Sequence, residues 1–272
     1  MNNEKDNILR YEELALNAFP AILTEFYDGW VLRYSNGYTF RGNSINPLYK
    51  SNINLDEKIS YCESKFASKK LPCVFKMTEA VEDELDKLLE KKGYTIEKNA
   101  DIMVHCLKNY NAKHIENYNM IESKSLNNIN VHIEYEMTDE WLNQFLILNG
   151  TTDHKTKETA KKMLSSIKNK VFCASINLND EMAACGLGVL EDGKVGLYDI
   201  RVLEEYRRKG LATVLCTKII EAGIDEGAVS AYLQVASANY GAIRLYENLG
   251  FSKLYTYWYR VKKDENYNGK TE

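Results

Sequence analysis

Residues 205–215 read EYRRKGLATVL, three cations immediately ahead of a glycine and a run of small and apolar residues. The stretch follows KVGLYDIRV (194–202), which alternates like a strand. It opens GLATVLCTKIIEAGIDEG (210–227), whose apolar spacing predicts a helix starting at Gly210. Exposed cations at a helix N-terminus are disfavoured by about 0.3–1 kcal/mol each. The same terminus offers unpaired N–H groups and the positive end of the helix dipole, so an anion fits there. Gly210 has no Cβ to keep a ligand from the backbone. Ala212 leaves the next step uncluttered, and Thr213 adds a hydroxyl. On this string alone a solvated charge run and an anion cradle are equally compatible with the residues.

Downstream, VASANYGAIRLYENLGF (235–251) places Asn239, Ala242 and Tyr246 at i, i+3 and i+7, on one helix face. Taken singly, Asn239 is explained as an N-cap and Tyr246 as an aromatic at the edge of the core.

The chain of 272 residues is 44% hydrophobic and 27% charged, a soluble globular profile with room for one large or two ordinary domains. A net charge of −4 supplies no excess of cations for a nucleic-acid backbone. No apolar run reaches the roughly 20 residues that span a bilayer. The polar start, MNNEKDNILRYEEL, is expected not to be a secretory signal. Cys62, Cys73, Cys106, Cys173, Cys185 and Cys216 are scattered singly, mostly in apolar runs, which fits a reduced cytoplasmic protein. His105, His114, His132 and His154 form no ligand spacing, so no metal site is expected.

Two α/β series follow one another. Residues 1–108 alternate helix and strand, with a hairpin expected in GWVLRYSNGYTFRGNS (29–44) about the Asn36-Gly37 turn. In that hairpin Arg33 and Arg41 are expected to snorkel from a sheet surface rather than to line an acceptor site or a domain interface. Residues 109–128 are polar and Asn-rich and read as a linker. The second series, 129–272, holds a three-stranded antiparallel meander (170–203) and then the two segments quoted above. A shift of 157 residues lays FKMTEAVEDELDKLLEKKGY (75–94) over YLQVASANYGAIRLYENLGF (232–251), with Gly93 under Gly250. This suggests two copies of one fold.

Arg207-x-x-Gly210-x-Ala212 after a strand, and Asn239-x-x-Ala242-x-x-x-Tyr246 closed by Gly250-Phe251, together resemble the GNAT superfamily (Gcn5-related N-acetyltransferases) across residues 130–262. The resemblance implies an α/β fold of α+β type: two GNAT-like domains, each a mixed, mostly antiparallel twisted sheet flanked by helices, the N-terminal one degenerate. It implies acetyl-CoA as co-substrate. The pyrophosphate would lie on the loop of Arg207, Arg208, Lys209, Gly210, Leu211, Ala212 and Thr213, and the pantetheine arm on Ile200, Arg201 and Val202. Asn239 and Ala242 would sit along the CoA arm, and Tyr246 would protonate the departing thiolate. In the N-terminal copy Glu82 stands in place of Asn239 and Leu89 in place of Tyr246, and KSNINL (50–55) lacks the arginine and glycine of the cradle.

Some relatives carry a glutamate base where this chain has Gln234, which cannot take a proton. Asp199 is the nearest carboxylate, and Tyr198 ordering a water is the alternative. The leading expectation is an N-acetyltransferase in which an amine attacks acetyl-CoA directly. The acceptor is a small-molecule or peptide amine, with no nucleic acid or membrane partner, and a homodimer is left open. An acetyl-CoA sensor with little catalysis is the second reading, and a nucleotide-binding α/β domain using the 207–213 loop the third.

Overall fold

The computed structural model describes residues 2–108, 110, 130–179 and 181–262. The linker expected at 109–128 lies outside the described residues except for Tyr110, and so does Asp180. The first series comprises α1 (Asn2–Ala18), β1 (Leu23–Tyr27), β2 (Trp30–Tyr34), β3 (Ile45–Pro47), α2 (Leu55–Ser68), β4 (Cys73–Thr78), α3 (Asp83–Lys91) and β5 (Thr95–Cys106). The second comprises β6 (Val131–Glu134), α4 (Asp139–Leu148), α5 (His154–Leu164), β7 (Lys170–Leu178), β8 (Glu181–Glu191) and β9 (Lys194–Val202). It continues through α6 (Leu211–Asp225), β10 (Ser230–Ala236), α7 (Tyr240–Asn248) and β11 (Ser252–Lys262).

All the strands join one eleven-stranded sheet in the order β1-β2-β3-β4-β11-β5-β10-β9-β8-β7-β6. The two halves therefore do not keep separate sheets, because each places its last strand against the other. β5 pairs antiparallel with β10, and β11 pairs antiparallel with β4 as well as with β5. Shifted by 157 residues, α3 falls on α7 residue for residue, and α2, β4 and β5 fall on α6, β10 and β11 to within one residue at each end. The parallel pairs correspond too, β3 with β4 and β9 with β10. Gly93 and Gly250 end α3 and α7 with φ of 85° and 90°, the left-handed turn that glycine adopts without Cβ strain.

One sheet face is packed by α1, α4 and α5, where Leu14, Trp141, Phe145 and Met163 meet Tyr198, Tyr232, Tyr255 and Tyr257. The opposite face carries α6 and α7 over the second series and α2 and α3 over the first. Local signals set the helix starts: the Thr138 side chain accepts from the Trp141 N–H and Asp153 from that of Thr156. The GLG at 186–188 serves packing, since a Cβ on Gly186 would lie 2.5 Å from Ile200 and one on Gly188 2.5 Å from Ile219.

The expected hairpin about Asn36-Gly37 is corrected. The turn forms, with φ of 53° and 78° and Tyr38 N–H donating to Ser35 O. The returning strand begins later than expected, at β3, which pairs antiparallel with β2 from Trp30/Pro47 to Leu32/Ile45. In the longer connection the Asn43 side chain takes the N–H groups of Ser35 and Gly37 and donates to Thr39 O. Residues 40–42 form a 3₁₀ turn instead. A second hairpin lies one strand earlier, β1 to β2 about Asp28-Gly29, and β1 went unrecognised because it is a half-exposed edge strand. Arg33 does not snorkel. It is 3% exposed and donates to the carbonyls of Leu16, Phe19 and Arg41.

The exchanged strands predict a single cooperative unfolding transition for the whole chain. Trp30 and Trp141 report on the two halves, so denaturant curves by fluorescence and far-UV circular dichroism should coincide. Two separated transitions would contradict the interlocked sheet.

Candidate active site

β9 and β10 run parallel and pair from Lys194/Ser230 to Leu197/Leu233, and there the pairing stops. β10 continues to Ala236 on β5, while β9 turns away on β8. Two β9 residues, Asp199 and Ile200, stand opposite Gly186 alone, which makes a bulge with Asp199 at φ 51°. Past this fork opens a cleft of about 1660 Å³ that reaches from α7 on one sheet face to α5 and the 36–41 loop on the other.

Of the sequence-expected residues, Asp199, Ile200, Arg201, Asn239, Ala242 and Tyr246 wall the cleft. Val202 and the loop 207–213 do not. Val202 ends β9 and accepts from Arg207 Nε at 3.2 Å. The loop sits at the foot of α6 with Arg208 at φ 60° and Gly210 at φ 88°. Among the described residues, the amides from Arg208 to Thr213 donate to no protein atom, and the first backbone bond of α6 is Val214 N–H to Gly210 O. Lys209 lies over the Tyr206 ring at 5.1 Å. The corresponding loop of the first series differs. Ahead of α2, the Asn52 and Ile53 amides and the Ser51 hydroxyl all donate to the Asp28 carboxylate. These bonds hold that carboxyl far below the usual carboxylate range. An internal anion already fills the place an external one would take.

Asn239 caps α7, its Oδ1 accepting from Ala242 N–H at 3.2 Å. Tyr246 is 9% exposed, and burial, then the Cys216 thiol, push its hydroxyl well above the ordinary phenol value. Its hydroxyl bonds to no described residue. The Tyr198 hydroxyl donates to Tyr232 at 2.8 Å. Gln234 accepts from the Tyr257 hydroxyl at 2.9 Å.

Sequence reasoning missed the contribution of the first series. Arg41 reaches across to Asp199, Nη2 to Oδ1 at 3.0 Å, with its guanidinium 4.2 Å above the Phe19 ring. Burial opposes the Arg41 charge, and Asp199 more than offsets this, so its pKa is raised. Beneath the cleft, Lys76 pairs with Glu12 at 2.6 Å, Tyr255 donates to Glu12, and the Lys76 ammonium lies 4.1 Å from the Tyr257 ring centroid. The flags were present as Arg41 and the tyrosines of YTYWYR. Their partners lie 158 residues away in the first case and 23 in the second, beyond any local pattern.

A family model described as "Probable histone acetyltransferase Rv0428c C-terminal" matches residues 6–260. The chain is 26% identical over 261 residues to an uncharacterized N-acetyltransferase, YobR, of Bacillus subtilis, covering 95% of this chain and all of that one. It is 33% identical over 100 residues to the ribosomal protein bS18-alanine N-acetyltransferase of Escherichia coli, 37% of this chain and 68% of that one. In fold it is similar to a solved tandem GNAT protein from the clavulanic acid biosynthesis pathway, with a TM-score of 0.60 at 9% identity over 93% of this chain and 88% of that one.

Lys76→Met leaves Glu12 buried without its cation, and a loss of about 3–5 kcal/mol is expected. Adding Glu12→Gln should recover part of it, as measured by denaturant unfolding. An equal or larger loss in the double variant would show that the pair is not what holds this part of the cleft floor.

Proposed function

The chain belongs to the GNAT superfamily of acyl-CoA N-acetyltransferases, in the family of the Rv0428c C-terminal region, and on that premise we propose that it moves an acetyl group from acetyl-CoA to a primary amine by direct attack in one ternary complex. The observation that carries this reading is the fork of β9 and β10 together with the unpaired amides at the foot of α6. Those amides, from Arg208 to Thr213, hold the pyrophosphate, with Arg207 and Lys209 supplying positive field. The unpaired edge of β9 at Ile200–Val202 takes the amide groups of the pantetheine arm. Ala242 and Asn239 border that arm.

The amine nitrogen then attacks the acetyl carbonyl, whose oxygen is polarised by a strand amide, and the carbon–sulfur bond breaks. Tyr246 gives its proton to the leaving thiolate, and the proton that the nitrogen loses as the amide forms restores the phenol. Burial raises its pKa, so it rests protonated. Asp199, ion-paired with Arg41, draws the acceptor ammonium into place and takes its proton as it becomes the attacking amine. Gln234 orients the site through Tyr257 and moves no proton.

We read the first series as a degenerate copy of the same fold (1–108), joined by 109–128 to the acetyl-CoA-binding copy (129–272). The matching element order supports this, and Asp28 in the first cradle accounts for the lost cofactor site.

Tyr246→Phe should bind acetyl-CoA normally and lose about 10²–10⁴-fold in kcat. Release of free thiol with a panel of amines, beside calorimetric binding of acetyl-CoA, measures both. Wild-type protein that turns over no amine would overturn the catalytic reading. For the cradle, Gly210→Val forces a β-branched residue to φ near 88° and should raise the KM for acetyl-CoA more than Lys209→Ala does. The reverse order would move the phosphate site from the amides to the side chains.

A further inference from the structure

We propose that the acceptor is an α-amino acid bound as its zwitterion, ammonium on Asp199 and carboxylate on Arg41, so that the N-terminal half reads the substrate. The inference rests on the acetyl-transfer reading and names the substrate class of that same site.

The two side chains come from different halves and stand in contact on the cleft wall, 29% and 11% exposed. Arg41 uses only Nη2 on Asp199. Among the described residues its Nε and Nη1 donate to no protein acceptor. Its plane is set before any ligand arrives. Phe19 lies under the guanidinium at 4.2 Å, and the buried Arg33 holds the Arg41 carbonyl at 2.6 Å. A fixed fork with a free edge is the geometry that binds a carboxylate through paired N–H groups.

Asp199 is fixed as well. It sits in the β9 bulge at φ 51°, a conformation that turns an ordinary strand position into the cleft lip where β9 leaves β10. An anion and a cation side by side in a half-buried site attract a ligand with the opposite charges in the same order and spacing. An α-amino acid has them, with ammonium and carboxylate one carbon apart. A polyamine would bring a second cation against Arg41 and Arg201. A peptide N-terminus would set a neutral amide against the guanidinium and leave its free edge without an anion. The surrounding walls, Tyr38, Phe40, Tyr257 and Tyr259, are aromatic and suit an apolar or aromatic side chain.

The test is a matched set at saturating acetyl-CoA: L-phenylalanine, L-phenylalanine amide, phenethylamine and spermidine, with kcat/KM read from thiol release. The amino acid should exceed each of the others by about 10- to 100-fold, the range expected when a charge-assisted pair is left unmade. Arg41→Met should bring the amino acid, its amide and phenethylamine to parity, and Arg41→Lys should restore part of the preference. Wild-type protein that acetylates the amide or phenethylamine as well as the amino acid overturns the inference and leaves acetyl transfer standing. So does an Arg41→Met variant with normal melting that keeps the preference. Should that variant fail to fold, the wild-type ratios decide alone. Turnover of no amine at all, with acetyl-CoA bound, removes the acetyl-transfer reading and this inference with it.

Discussion

Everything in the site depends on β10 keeping its hydrogen bonds to β5 after it has lost those to β9. The β9–β10 pairing ends at Leu197/Leu233, while the β10–β5 pairing runs on through Ala236. A strand tip released on one side needs a partner on the other, or its buried N–H and C=O groups go unmet. That partner belongs to the N-terminal half. The open fork is therefore a property of the exchanged sheet, since the second half has only β11 after β10, and β11 lies beyond β5.

The same exchange gives the cleft its two unlike sides. α7 brings Asn239, Ala242 and Tyr246 to one face. α5, the 36–41 loop and the tyrosines of β11 build the other. The loop has no strand partners of its own, and what fixes it is Asn43 within the turn and Arg33 beneath it. Burying a guanidinium is costly, and burial pulls Arg33 down to about 10. The donors are met by three carbonyls, which turns a polar side chain into a brace for the residue that meets Asp199.

Much of this is legible in the sequence. Periodicity and caps located α6, α7, β10 and β11 because those elements carry their own signals: Gly210 at a start, Gly250 at a stop, and an apolar stripe between. The 157-residue shift found α3 over α7 for the same reason. The sequence misled where a local signal was real but outvoted. Asn36-Gly37 does make its tight turn, yet Asn43 satisfies the backbone around it, so the strand that returns along β2 is β3 and not the residues next to the turn. β1 lacked a clear alternation because an edge strand has no buried face to enforce one. Strand exchange and the Arg41–Asp199 contact left no trace in spacing, since nothing local distinguishes a strand that pairs at home from one that pairs across the sheet.

The two helix starts meet their amides in different ways. At α6 the amides donate to no described residue and stand behind a glycine in the left-handed region. At α2 the equivalent amides are closed by Asp28, which also takes the ammonium of Lys58, a side chain buried completely under Trp30. A free phosphate would have to displace a carboxylate that is covalently part of the chain and already neutralised. That exchange gains little and loses an ion pair in the core. The amides ahead of α2 are thus taken up within the chain itself. What that half still offers the cleft is the loop those bonds leave untouched, and Arg41 stands at its end.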